Sequence, residues 1–136
     1  MFIHSRPEGR TILLVYVDDI VLTGDDLQFI QQTKHRLSKE FEMKDLGYLR
    51  YFLGIEVARS SKGIFISQRK YTLDLLKETG KLGSRPAPSP MEQKHSLHAD
   101  IGDKLEDIGM YQRLVGKLIY LTITRPDITQ AVSIVS

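Results

Sequence analysis

The 136-residue sequence predicts an α+β fold, in which antiparallel β-hairpins and a packed helix are followed by a helical tail. Three observations support this class. Short runs rich in Ile, Val and Leu are separated by turn residues, which is typical of hairpins. A segment after the first hairpins places apolar residues at helical spacing. The C-terminal part carries longer apolar patterns that favour helices over strands.

The first predicted elements are three strands that follow one another as a meander. The runs "FIHS" and "TILLVYV" are separated by "RPEGR", where Pro and Gly favour a turn. The stretch "ILLVYVDDIVLTG" then supplies strands over residues 12–17 and 20–23, with Asp18 and Asp19 at the bend between them. Two adjacent carboxylates repel each other and are costly to bury unpaired, so we expect both at an exposed tip.

The Asp-Asp pair allows two interpretations. Asp is common in turns, so the pair can simply serve the hairpin. However, tight hairpins favour Asn-Gly or Asp-Gly, which supply positive φ angles, and a departure from such local rules favours a functional role. Because Mg²⁺ takes hard oxygen ligands, including one or two carboxylates, Asp18 and Asp19 are candidates for binding a divalent metal ion.

A helix is predicted next, over residues 26–41, with Asp25 or Asp26 as its N-terminal cap. Its apolar residues share one face, which we expect to pack on the sheet. The members of that face are Leu27, Ile30, Leu37 and Phe41.

The middle of the chain predicts a second hairpin and a short helix. The runs "YLRYFLGIEVAR" and "GIFISQ" are joined by "SSKG", whose composition is typical of a turn. The helix is predicted over residues 71–79 and ends at Gly80, a residue that favours helix termination. Its inward-facing residues are predicted to be Tyr71, Leu75 and Leu76.

The chain is predicted to consist of a body and a helical segment, which are joined by a Pro-rich and acidic linker. The sequence "GSRPAPSP" excludes helix and central strand, because proline fixes φ and lacks an N–H donor. We therefore expect a body over residues 1–82, a linker over residues 83–108 and a helical segment over residues 109–136. We interpret His95 and His98 as solvated linker residues rather than zinc ligands.

The helical segment is predicted to hold two helices, over residues 110–121 and 127–135. The sequence "TRPDI" separates them, and Pro126 can open the second because its fixed φ suits the first helical turn.

Composition and charge narrow the function classes. The absence of cysteine excludes disulfides, thiolate zinc sites and cysteine nucleophiles. The longest apolar run, "ILLVYV", is far shorter than the roughly 20 residues that span a bilayer, and no secretion signal is recognisable, so we expect an intracellular protein without a membrane partner.

Net charge is only +2, but residues 57–85 carry seven basic residues against two acidic ones. This basic segment can follow a phosphate backbone, although such runs also occur on solvated faces.

Four motifs in a fixed order carry a resemblance to a known family. The motif "YVDD" is followed by "DLGYLRYFLGIEV", "GIFISQRKY" and "GKLIYLTITRPDI". In this order they resemble the reverse transcriptase of copia-type LTR retrotransposons, over nearly every residue of the chain. The resemblance implies a partial polymerase palm, and a thumb- or connection-like role for the helical segment over residues 109–136.

The resemblance also assigns roles to individual residues. It implies that Asp18 and Asp19 are catalytic and bind two Mg²⁺ ions near the primer end. It implies that Tyr16 and Val17 pack beside the growing primer. The run "YFLGIEV" resembles the primer grip, a hairpin that positions the primer strand; the residues carried over from it are Leu53 and Gly54.

In the complete enzyme, the implied partners are an RNA template, a DNA primer and a deoxynucleoside triphosphate. The family needs a further metal-binding aspartate upstream and fingers that hold template and nucleotide, yet only 17 residues precede Asp18 and Glu8 is their sole acid. We therefore expect a fragment of a larger Pol polyprotein that is inactive alone.

Two alternatives compete with this interpretation. A non-catalytic retrotransposon relic would act at most as a nucleic-acid or protein-binding module. Another enzyme class with paired acids, such as a nucleotidyl cyclase, is disfavoured because the glycines are scattered and form no nucleotide-binding loop.

Overall fold

The computed structural model describes residues 1–92 and 105–136. The chain falls into two units, Met1–Leu49 and Arg50–Ser136. Each contains a three-stranded antiparallel sheet, which is followed by one helix in the first unit and by several in the second. The predicted α+β class is confirmed. Residues 93–104 of the predicted linker, including His95 and His98, lie outside the described residues.

The sheet of the first unit is the predicted meander. Its strands are β1 (Phe2–Arg6), β2 (Gly9–Tyr16) and β3 (Asp19–Gly24), in spatial order β1-β2-β3. Tyr16 pairs with Asp19, so a two-residue turn joins β2 to β3. The predicted bend was therefore wrong by one position: Val17 lies in the turn instead of the strand, and Asp19 is the first residue of β3.

The open end of this hairpin is closed by contacts between Arg10, Gly24 and Asp25. The Asp25 N–H donates to the Arg10 carbonyl at 3.1 Å, and the Arg10 N–H donates back to the Asp25 carboxylate. The bond from Arg10 is the main reason why the pKa of Asp25 lies below its usual value. Gly24 has a φ of +144°, and a Cβ atom at this position would lie 1.9 Å from the Arg10 carbonyl oxygen. The approach of the two strands therefore requires glycine.

Helix α1 (Leu27–Glu40) follows, close to its predicted bounds. Of the two candidate caps, Asp26 is the one that serves, because its carboxylate accepts from the Phe29 N–H at 2.9 Å. The helix ends at Phe41, whose N–H donates to the Leu37 carbonyl at 2.9 Å.

Only part of the predicted apolar face of α1 is covered. Ile30 is buried and Leu37 half-buried, whereas Leu27 and Phe41 are 72% and 60% exposed. Phe41 has extended backbone angles, so helical spacing no longer fixes where it points.

Phe29 of α1 is covered instead of Leu27 and Phe41, because two side chains of β1 pack on its ring. The His4 ring stacks on it at 4.4 Å, and the Arg6 guanidinium lies 4.3 Å from the ring centre.

The sheet of the second unit consists of β4 (Tyr51–Phe52), β5 (Ile55–Ser60) and β6 (Gly63–Ser67). The run "YLRYFLGIEVAR" is thus two strands with a turn at Leu53 and Gly54. The predicted hairpin around "SSKG" is confirmed, since β5 pairs with β6 in antiparallel register.

Helix α2 (Arg69–Glu78) begins two residues before the predicted start. Leu75 is buried and Tyr71 and Leu76 are half-buried, as predicted. Gly80, with a φ of +67°, ends the helix. Its N–H and that of Lys81 donate to the carbonyls of Lys77 and Leu76 at 3.1 and 2.7 Å, which is the Schellman arrangement of a helix C-terminus.

The two predicted helices of the tail are confirmed. Helix α3 (Ile108–Leu121) is capped by Asp107, which accepts from the Met110 N–H at 2.7 Å. A single 3₁₀ turn, Pro126–Ile128, leads into helix α4 (Thr129–Val135). Within the described part of the chain, none of the helices is long and apolar enough to cross a membrane.

Candidate functional site

The tip of the β2–β3 hairpin carries four of the predicted site residues in succession. Tyr16 ends β2, Val17 and Asp18 form the turn, and Asp19 begins β3. All four are exposed, and Val17 has 80% of its surface open to solvent. The hairpin therefore presents two carboxylates and two apolar side chains together at one accessible tip.

The donor set of this tip suits a hard divalent cation. Carboxylate oxygens are the protein ligands that Mg²⁺ prefers, and the ion usually keeps several waters beside one or two of them. Asp18 and Asp19 can therefore supply part of a magnesium coordination shell. In residues 1–92 and 105–136, no group of three or more His, Cys, Asp or Glu side chains is arranged to hold a metal ion.

The backbone at the tip is strained at Val17, whose φ is +50°. A β-branched residue at positive φ is a conformational outlier. A positive φ at the first turn residue is typical of a type II′ turn, which normally has glycine there. Such outliers cost about 1–3 kcal/mol and cluster at functional sites. The strain at Val17 lies directly beside the two aspartates.

Replacing Val17 by glycine is expected to stabilise the β2–β3 hairpin. Glycine removes the conformational penalty at φ +50° and adds a smaller entropic cost in the unfolded chain, so we expect a net gain of about 1 kcal/mol. Amide hydrogen exchange of β2 and β3 measures this change. Val21→Gly, the same substitution within β3, is the control and should destabilise the hairpin. Equal destabilisation by both substitutions would show that Val17 is not strained.

The β4–β5 turn holds the other two predicted residues, Leu53 and Gly54. Their φ values are +50° and +87°, and they join the paired residues Phe52 and Ile55. Positive φ at both central positions defines a type I′ turn. Among the described residues, Val17 and Leu53 are the two non-glycine residues with positive φ, and both lie in turns that the resemblance assigns to function.

Two tyrosines from the helices of the second unit support this turn. A Cβ atom on Gly54 would lie 3.5 Å from the Tyr71 ring and 3.7 Å from the Tyr120 ring. The two rings meet edge to face at 5.2 Å. The Tyr120 hydroxyl donates to the Leu53 carbonyl. Burial, together with the neighbouring Tyr120 and Glu78, raises the pKa of the Tyr71 phenol.

Nothing in the sequence around Tyr120 predicts its contact with the Leu53–Gly54 turn. It lies 67 residues after Leu53, within a run of apolar helix residues that predicts packing alone. Tyr71 was predicted to face inward, but nothing in its spacing indicates the turn that it contacts. Both contacts depend on how α2 and α3 pack with β4 and β5.

Comparison with known proteins identifies similar sequences. A family profile described as reverse transcriptase (RNA-dependent DNA polymerase) matches residues 1–93. The chain is 43% identical over 133 residues to the retrovirus-related Pol polyprotein from transposon RE2 of Arabidopsis thaliana, an alignment that covers 98% of the chain and 9% of that protein. It is 36% identical over 138 aligned residues to the corresponding polyprotein from transposon TNT 1-94 of Nicotiana tabacum, covering 92% of the chain and 10% of that protein.

A shorter relative is an uncharacterised mitochondrial protein of Arabidopsis thaliana. It is 43% identical over 124 residues, which are 90% of the chain and 51% of that protein. No solved structure matches the chain significantly. The chain thus spans about a tenth of the length of the polyprotein relatives and about half of the mitochondrial one.

Proposed function

The chain belongs to the reverse transcriptase family, among copia-type Pol polyproteins, and from this premise we propose that it is a polymerase segment whose YVDD hairpin binds the catalytic metal. The observation that carries the proposal is the pair of exposed carboxylates at the strained hairpin tip, with Asp18 in the turn and Asp19 at the start of β3. Asp18 is the main ligand in this proposal and Asp19 its companion. Primer extension by a restored polymerase, with and without Asp18→Asn, tests it.

The hairpin suits this role because sheet pairing fixes the positions of the acids. Asp19 is held in register by its pairing with Tyr16, and Asp18 by the turn between them. Acids held by strands are oriented more accurately than acids on a mobile loop. Asp18 and Asp19 would hold Mg²⁺ at this tip, where the metal would supply activation of the primer 3′ hydroxyl and charge stabilisation for the leaving phosphates.

We assign the primer contacts to two places. Tyr16 and Val17 are exposed at the acidic tip and can pack against the primer end. Leu53 and Gly54 form the two-residue turn between β4 and β5, and the exposed side chain of Leu53 can contact the primer strand there. In the complete enzyme, the partners are an RNA template, a DNA primer and a deoxynucleoside triphosphate.

The proposed architecture keeps three segments. Residues 1–82 form a partial palm with both hairpins, residues 83–108 a linker, and residues 109–136 a thumb- or connection-like helical segment. The motif order supports this division, because "YVDD" and "YFLGIEV" precede the linker and "GKLIYLTITRPDI" follows it.

We further propose that these 136 residues do not polymerise DNA by themselves. Two-metal catalysis needs carboxylates that hold two ions in register, and the tip supplies one adjacent pair. The upstream aspartate that the family uses would have to come from another part of the polyprotein. By itself, the segment would act as a nucleic-acid-binding module without catalysis. Its exposed basic residues favour this non-catalytic role.

The seven basic residues within residues 57–85 support nucleic-acid binding by this segment. All seven are exposed, and they lie on β5, on the β5–β6 turn, on α2 and in the segment that follows α2. Their identities are Arg59, Lys62, Arg69, Lys70, Lys77, Lys81 and Arg85. Lysine and arginine contacts to phosphates release counterions, which makes binding dependent on salt and indifferent to sequence.

We expect weak binding to a labelled primer–template that falls steeply as salt rises. The double substitution Arg69→Gln with Lys77→Gln should reduce the slope of log K against log salt by about 1–2, because each lost phosphate contact lowers it by about 1. Arg36→Gln with Lys39→Gln on α1 removes the same charge outside the segment and should leave the slope nearly unchanged. Binding that does not respond to salt would contradict the proposed contacts.

A further inference from the structure

The Leu53–Gly54 turn is held from a helix that follows it by more than 50 residues. The carbonyl of Leu53 lies between the paired residues of β4 and β5, so the ladder provides it with no partner. The Tyr120 hydroxyl of α3 donates to this carbonyl. Tyr120 also lies outside the residues that match the reverse transcriptase profile.

We propose that Tyr120 is a positioning residue that fixes the Leu53–Gly54 turn in the conformation that contacts the primer. This inference rests on the proposed function, which assigns the primer contact to the turn. Leu53 adopts a φ of +50°, which an isolated chain disfavours, so the turn needs an external contact to stay in place. A hydrogen bond to the Leu53 carbonyl restrains the peptide plane between Leu53 and Gly54.

Tyr120 is itself held firmly, which a positioning residue requires. Its ring packs edge to face on Tyr71 of α2, at 5.2 Å. The Tyr71 hydroxyl donates to the Lys117 carbonyl at 3.1 Å, less than one turn earlier in α3. The Lys117 ammonium pairs with the carboxylate of Glu78 on α2. These contacts fix α3 against α2 at the level of the turn.

A part-buried hydrogen bond between residues that flank the two helices joins them at the other end of their contact. Gln68, which precedes α2, is 3% exposed, and its amide oxygen accepts from the Thr124 hydroxyl at 2.8 Å. The first turn of α2 is joined to β5 as well, since the Lys70 N–H donates to the Glu56 carboxylate at 2.8 Å. The helix that carries Tyr120 is therefore connected to the hairpin that carries Leu53 directly, through the Tyr120 hydroxyl, and indirectly, through α2.

Helix α3 provides a matched control for Tyr120. Tyr111, which lies nine residues earlier in α3, donates its hydroxyl to the Val135 carbonyl of α4. Tyr111→Phe and Tyr120→Phe each remove one hydroxyl that bonds a main-chain carbonyl, and each keeps the aromatic ring. Only Tyr120 bonds the turn.

The first measurement is amide hydrogen exchange in the full 136-residue chain. Tyr120→Phe is expected to speed exchange about fivefold at Phe52, Ile55 and Val57, the factor for one lost hydrogen bond. Tyr111→Phe should leave these amides unchanged. Unchanged exchange in Tyr120→Phe would overturn the inference, and so would an equal acceleration throughout α2 and α3, because that would indicate general loss of helix packing.

The second measurement separates the inference from the proposed function. A primer with a photoreactive 3′-terminal nucleotide, annealed to a template at low salt, is crosslinked to the chain and the yield at the Leu53 peptide is compared with total binding. Tyr120→Phe should lower that yield severalfold while total binding stays unchanged, and Tyr111→Phe should lower neither. Faster exchange with an unchanged crosslink would support Tyr120 as the residue that fixes the turn, and would overturn the primer contact assigned to it.

Discussion

Asp18→Asn is expected to abolish primer extension in a polymerase that joins this chain to a family palm-and-fingers segment upstream. Asparagine keeps the shape of the side chain but removes the charge and one of the oxygens that a magnesium ion can use. Metal-ion stabilisation of a phosphoryl transition state is worth several kcal/mol, so we expect a rate loss of about a thousandfold or more. Extension of a labelled primer over time measures it.

The control for this substitution is Asp74→Asn on the exposed face of α2. Its carboxylate forms a solvent-exposed pair with Lys70 at 3.4 Å, and such pairs contribute little to stability. Extension by the restored enzyme should be nearly unchanged in this variant. An equal loss of activity in both variants would mean that a general effect of charge, and not metal binding at the tip, explains the result.

The 136-residue polypeptide alone is expected to give no measurable extension. Its tip offers one adjacent carboxylate pair, and Mg²⁺ gives up water reluctantly, so a second ion held in register needs a further ligand. Orientation of template and nucleotide is also needed, and correct positioning can account for roughly 7–11 kcal/mol of a reaction barrier. Extension by the purified polypeptide, abolished by Asp18→Asn, would refute this expectation.

Gly24→Ala is expected to destabilise the β2–β3 hairpin of the first unit strongly. The added Cβ would lie 1.9 Å from the Arg10 carbonyl oxygen, which is main-chain and cannot move without separating β2 from β3. We expect a loss of about 3 kcal/mol or more, at the upper end of ordinary substitutions. Amide exchange of β2 and β3 should accelerate accordingly.

Gly63→Ala is the matched control for this effect. Gly63 has a φ of +142°, close to that of Gly24, but nothing lies within 4 Å of the position that a Cβ would take. Its substitution therefore carries the backbone strain without the collision, and should destabilise β5 and β6 by about 1–2 kcal/mol. Similar losses in the two variants would mean that backbone strain alone, and not the close strand approach, explains the need for glycine.

The hairpin at the acidic tip could be predicted from the sequence, but its turn could not be placed to the residue. The apolar runs on either side of Asp18 and Asp19 indicate two strands. The sequence predicts Val17 in the first strand because it continues a run of residues that favour strands. The pairing of Tyr16 with Asp19 overrides that local preference. Strand pairing is a property of the sheet, so residue propensities do not reveal it.

The face of α1 that is covered shows a second limit of prediction from sequence. Helical spacing correctly selects Ile30 and Leu37, which lie in the body of the helix. It fails at the ends, where Phe41 has left helical geometry. Phe29 is covered by the His4 ring and the Arg6 guanidinium. These residues belong to β1, so the apolar pattern of the helix cannot indicate their contacts.

Strand β1 has a consequence for the behaviour of the polypeptide in solution. It forms one edge of its sheet, and all five of its residues are exposed, including Phe2 and Ile3 at 68% and 56%. An edge strand presents unpaired N–H and C=O groups to any extended chain, and an apolar edge adds hydrophobic attraction to that pairing. We therefore expect self-association of the polypeptide through strands added to β1, and a net charge of +2 provides little repulsion against it.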